Sequence, residues 1–142
     1  MTKVRSRTKA RRRALDILFE AEQRGVAPTV VLADRLIEPG PRQTPPPAYA
    51  AEIVQGVSDH LAEIDEILST YSHGWTIERM PAVDRTGLRI GVWELLYGND
   101  VPSGVVLDEI TTMAKELSTD ESPNFVNGLL GRVVQVLPML RA

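Results

Sequence analysis

The stretch from Pro81 to Tyr97 limits the fold more than any other in the chain. At 3.6 residues per turn, Leu88, Gly91, Val92 and Leu95 face one way, and Val83, Ile90, Trp93 and Tyr97 face another. A helix that is apolar on two sides has to lie between neighbours that cover both. Gly87 and Gly91 let a neighbouring helix come close, at a cost in intrinsic helix propensity. This segment is therefore expected to be the hub of a helical domain.

The rest of the chain supplies the neighbours. Ala14, Ile17, Leu18 and Ala21 form an amphipathic stripe on a first helix that ends near Gly25. Pro28 suits the first turn of a short second helix through Ile37. From Tyr49 to Tyr71 one long helical pattern carries Ala50, Ile53, Val54, Val57, Leu61, Ile64 and Leu68. Trp75 to Met80 reads as a single helical turn. After the break at Gly98–Pro102, a helix from Leu107 to Leu117 turns Ile110, Ala114 and Leu117 inward. Ser122-Pro123 reads as N-cap and first-turn proline of a last helix with Val126, Leu129, Leu130, Val133 and Leu137 on its core stripe. No strand pattern occurs. The expectation is an all-α single domain of about seven helices over residues 1–142.

One segment stands outside this pattern. Residues 38–47 are half proline, and fixed φ with missing N–H groups makes them an extended spacer.

Charge is segregated in a way a core does not require. Lys3, Arg5, Arg7, Lys9, Arg11, Arg12 and Arg13 put seven cations into eleven residues with no acid among them. The remaining chain holds nine basic and nineteen acidic residues, so the net charge of −3 combines a +7 head with a −10 body. Such a head suits a polyanion. Its charges point all round the helical wheel, so residues 1–13 are expected to begin as a flexible basic arm. Leu15 and Phe19 lie off the core stripe, on the side of Arg11 and Arg12; spacing alone favours burial of Phe19. On the last helix Phe125, Gly128 and Arg132 share one flank, where an aromatic ring beside a cation can stack a base and hold a phosphate.

Several classes of chemistry lack their residues. No phosphate loop, dinucleotide fingerprint or nucleophile elbow is present, and the glycine pairs sit inside helical patterns. There is no cysteine, and two isolated histidines, His60 and His73, give no metal-ligand spacing. No enzyme activity, cofactor or metal is expected. No apolar run approaches the ~20 residues that cross a bilayer, and the acids after the head do not suit a targeting sequence. Cytoplasmic residence is the simple expectation.

The order and spacing of short motifs resemble the NusB family of bacterial transcription antitermination factors over nearly the whole chain. These motifs are Arg11-Arg12-Arg13-Ala14 leading into Ile17-Leu18-Phe19, Gly56-Val57 and Ile64-Asp65, then Val83-Asp84-Arg85, Leu88-Arg89-Ile90 and Trp93-Glu94-Leu95. Ala114-Lys115-Glu116-Leu117 and Ser122-Pro123-Asn124-Phe125-Val126-Asn127-Gly128 complete the set. The resemblance implies two small helical bundles that bind the boxA segment of nascent ribosomal RNA. It also implies a partner, the ribosomal protein NusE, and an RNA polymerase antitermination complex. RNA contacts would fall on the basic head, Glu121 and Phe125, with Arg132 alongside. NusE contacts would include Phe19, here exposed and not buried, and Asp84. The proline-rich spacer departs from the family pattern. Two rival readings are an RNA-binding module of an RNA methyltransferase system, disfavoured because no methyl-donor domain follows residue 142, and a helical DNA-binding regulator. Monomer and homodimer both remain open.

Overall fold

The computed structural model describes the backbone of residues 3–98 and 100–142, and side chains from Ser6 onward apart from residue 99. Among these residues there are seven α-helices, one 3₁₀ turn and no strand. The helices are α1 (Lys3–Arg24), α2 (Pro28–Ile37), α3 (Ala48–Asp59), α4 (Leu61–Tyr71), α5 (Ala82–Tyr97), α6 (Ser103–Leu117) and α7 (Ser122–Leu140). The 3₁₀ turn spans Ile77–Arg79. The chain divides into two compact units, Met1–Asp59 and His60–Ala142.

In the first unit α1, α2 and α3 pack pairwise. The stripe residues Ala14, Ile17, Leu18 and Ala21 are buried, as are Val31, Leu32, Ala50, Ile53, Val54 and Val57. Gly25 ends α1 at φ +67. Val26 N–H donates to the Ala21 carbonyl (3.0 Å) and Gly25 N–H to that of Glu22 (3.2 Å), the paired bonds of a Schellman motif. The basic head is not a flexible arm: α1 is helical from Lys3. Arginine and lysine are good helix formers, and no glycine or proline interrupts the run. Ala10 and Arg11 are buried, which ties the head to the fold.

The spacer is docked as well. Pro46 is buried, the Thr44 carbonyl accepts a hydrogen bond from Arg13 Nη1 (2.9 Å), and Pro39, Gly40, Pro41 and Gln43 line a groove with α1. Its lack of N–H groups prevents a helix but leaves carbonyls free to accept from α1.

In the second unit α5 packs against α4, α6 and α7. It is the hub that its two-sided pattern predicts, with Leu88, Ile90, Val92 and Leu95 buried. A Cβ on Gly91 would stand 3.0 Å from Leu130 Cδ1 and 3.3 Å from Ile110 Cγ1, so glycine is what allows α6 and α7 this close.

Three boundaries differ from expectation. The long pattern from Tyr49 to Tyr71 is two helices, broken at His60 (φ −115, ψ 19). The apolar period continues through the break because each side has its own core to face. Helix α6 starts at Ser103, not Leu107: Pro102 precedes it, and the buried Val106 extends the Ile110–Ala114 stripe back into its first turn. Ser122 lies inside the first turn of α7, with Glu121 as N-cap. The buried Ser122 Oγ instead accepts from Thr119 N–H (3.1 Å) and bonds the Thr119 and Ser118 hydroxyls, closing the turn ahead of the helix.

Candidate nucleic-acid and partner surfaces

In the first unit the head cations have different fates. Arg7 lies over the Tyr49 ring at 4.5 Å from Cζ to centroid, a cation–π contact. Arg11 sits 6.0 Å from the same ring and is only 2% exposed. That burial corrects the expectation of Arg11 as a phosphate contact: its guanidinium is part of the packing between α1 and its surroundings. Arg13 is half-buried, held by Thr44, with Nη2 enclosed. Lys9 is exposed and Arg12 half-buried. The expectations for Lys3 and Arg5 fall on side chains outside the described residues.

Further along α1, Leu15 is buried but Phe19 remains half-buried. One off-stripe residue thus enters the core, and the aromatic one turn on keeps part of its ring at the surface. The next residue, Glu20, anchors α2. Arg35 Nη2 donates to both of its oxygens at 2.7 Å, and Arg24 Nη1 adds a bond of 2.9 Å. Burial pushes the Glu20 carboxyl up, but the hydrogen bonds from Arg35 and Arg24 outweigh it and hold the group below its usual value of 4.5.

In the second unit the flank Phe125–Gly128–Arg132 exists as the spacing predicts. Phe125 is half-buried on α7 and packs edge-on against Trp75, with centroids 4.8 Å apart and planes at 68°. Arg132 Nε donates to the Tyr71 carbonyl (2.8 Å), and its Nη1 lies 3.5 Å from where a Gly128 Cβ would be. The guanidinium therefore lies across Gly128, three residues on from Phe125 along the same helix. Glu121 is exposed at the start of the same helix. Trp75 is the residue that sequence reasoning missed. It precedes a 3₁₀ turn, and only the fold brings it to Phe125.

Asp84 needs a correction. It lies in the first turn of α5, where a carboxylate favours the helix dipole, but it is 1% exposed. Neither carboxylate oxygen has a hydrogen-bond partner among the described residues. The expected exposed charge for a partner protein is an interior group. Its neighbour Arg85 is the more visible anchor, with Nη1 donating to the Ile77 and Met80 carbonyls at 3.0 Å each.

Among the described residues no group of His, Cys, Asp or Glu is arranged to hold a metal ion, and no helix is long and apolar enough to cross a membrane.

Comparison with known proteins places this geometry in a family. The family model for NusB matches residues 8–135. The transcription antitermination protein NusB of Arthrobacter sp. (strain FB24) is 58% identical over 137 residues, covering 96% of this chain and 98% of its own. That of Kineococcus radiotolerans is 55% identical with the same coverage. Among solved structures, NusB of T. maritima superposes with a TM-score of 0.79 at 32% identity, over 91% of this chain and 90% of that one. A crystal structure of the antitermination factors NusB and NusE in complex with double-stranded RNA gives 0.80 at 28% identity, over 93% and 98%. The motifs spread from Arg11 to Gly128 thus sit on the helices that the family shares, and this chain belongs to the NusB family.

Proposed function

We propose that this chain is a transcription antitermination factor that binds RNA together with NusE. The observation that carries the RNA half is the Phe125 flank. A large aromatic side chain on α7 is left partly exposed and steadied by Trp75, with Arg132 further along the same helix. A core residue would be covered; a base-stacking platform has to be presented and held still. Lys9 and Arg12 add cations for phosphates, and Arg7 is steadied on Tyr49. The half-exposed Phe19 suits an aromatic anchor for NusE, whereas the buried Asp84 does not suit a surface charge partner.

The RNA in this reading is a boxA-type single strand of nascent ribosomal RNA, and the complex with NusE acts on RNA polymerase. Such a role is binding and requires no bond-making chemistry, cofactor or metal. It places the protein in the cytoplasm. The test is an anisotropy titration with boxA-like single-stranded RNA, duplex RNA and duplex DNA, each with and without NusE. Tightest binding to the single strand, strengthened by NusE, is expected. Preference for duplex DNA would favour a DNA-binding regulator.

A further inference from the structure

Beside the Phe125 platform lies a groove of about 440 Å³ that none of the residues expected from the sequence lines. Its walls are Ser69 and Ser72 near the end of α4, the turn Gly74–Thr76, and Ile77 and Glu78 of the 3₁₀ turn. Trp75 forms part of the wall and is half-buried. Its edge-on contact with Phe125 uses only one of the four ring faces of the pair. The turn is fixed in shape. Ser72 Oγ donates to the Trp75 carbonyl (2.5 Å), and Gly74 holds φ +98 with open space where a Cβ would stand. A preformed aromatic wall thus stands next to hydroxyls and an exposed carboxylate, Glu78.

That chemistry discriminates among ligands. A phosphate would be repelled by Glu78, and an aliphatic chain would cover the carboxylate's surroundings without offering it a donor. A flat heterocycle with an amine at its edge satisfies both, stacking on Trp75 and donating to the acceptor-only carboxylate. We propose that this groove takes one unstacked, amine-bearing base of the bound RNA, adenine, cytosine or guanine, next along the strand to the base on Phe125. The inference rests on the RNA-binding reading and extends it to a second base site, with Trp75 as platform and Glu78 as selector.

The experiment uses the full chain with Trp93→Phe, which leaves Trp75 as the sole tryptophan of the two present. It is titrated with 5′-labelled single-stranded RNA of mixed sequence, following label anisotropy and tryptophan emission together. Trp75 emission should be quenched and should saturate with the anisotropy. In the parent background, Trp75→Leu should weaken binding roughly 5- to 150-fold, the range for one lost base stack. Glu78→Gln should reduce the preference for amine-bearing strands over oligouridine. Ultraviolet crosslinking of the parent chain to the same RNA should place an adduct at Trp75, which decides the matter if a substituted chain fails to fold. RNA that binds with Trp75 emission unchanged and no adduct there overturns the second base site while leaving RNA binding intact. Absence of any anisotropy change overturns the RNA-binding reading and the groove with it.

Discussion

The two units use their charges in opposite ways. Residues 1–59 hold ten lysines and arginines against seven acids, a balance of +3, and residues 60–142 hold six against twelve, a balance of −6. In the first unit the described head cations are graded, from exposed Lys9 through Arg7 on Tyr49 to buried Arg11. In the second unit three arginines are tied to main-chain carbonyls, Arg85 to Ile77 and Met80, Arg132 to Tyr71, and Arg141 to Leu95. In the proposed reading, what the second unit would offer RNA is an aromatic pair on an acidic background. The difference suggests a division of labour. On the proposed RNA-binding reading, the first unit would supply attraction that salt screens, and the second would supply stacking that salt hardly touches and a repulsive field that discourages other registers.

The sharpest way to test the second unit's dependence on its interior is Asp84→Lys. A longer, unpaired ammonium at a 1%-exposed position should cost about 3–5 kcal/mol of stability, read as a large fall in the denaturation midpoint. A surface Asp84 would instead leave the midpoint alone and change only the association rate with NusE.

In the first unit, Arg11→Ala should cost about 2–3 kcal/mol of stability, because it removes a buried stem and head group. Lys9→Ala, two residues away and exposed, should leave the melt unchanged. Equal melts for the two variants would remove the distinction between packing cations and free ones. The burial of Ala10 and Arg11 also means that deleting residues 1–13 would damage the fold, so substitution is the cleaner probe.

Phe19→Asp should lower NusE affinity by about 2 kcal/mol, as for an aromatic anchor, with folding retained because the ring is only half-buried. Calorimetry with purified NusE checks it, and unchanged affinity would move the partner surface elsewhere.

The smallest effect is one of pH. The Glu20 carboxyl is held below its ordinary 4.5 in the folded chain, so the stability it adds is fully present above that value. It is lost as pH falls through the lowered folded-state value. For partly exposed pairs the contribution is about 0.2–1 kcal/mol. Urea melts of the parent and Glu20→Gln should differ by that amount near neutral pH and converge as pH falls through the lowered folded-state value.

How much of this was legible in the sequence depends on how local each feature is. The α5 hub, the stripes of α1 and α7 and the glycine stop at Gly25 follow from periodicity and backbone preference, which neighbouring residues determine. The break at His60 was hidden because apolar spacing records which face is buried, not whether one core or two bury it. Arg11 and Asp84 read as surface charges, since only tertiary packing decides that a charged side chain is enclosed. The Phe125–Arg132 flank was visible as spacing on one helix, but Trp75 reaches Phe125 across the fold and carries no local signal.

The division of labour is tested most directly by the salt dependence of RNA binding for the parent, Lys9→Ala and Phe125→Ala. Each neutralised phosphate contact on single-stranded RNA adds about 0.7 to the log–log slope, so Lys9→Ala should flatten it by about that much. Phe125→Ala should weaken binding by about 1–3 kcal/mol at every salt concentration, with the parent's slope unchanged. A Phe125→Ala line that differs in slope, or lies on the parent's line, would contradict it.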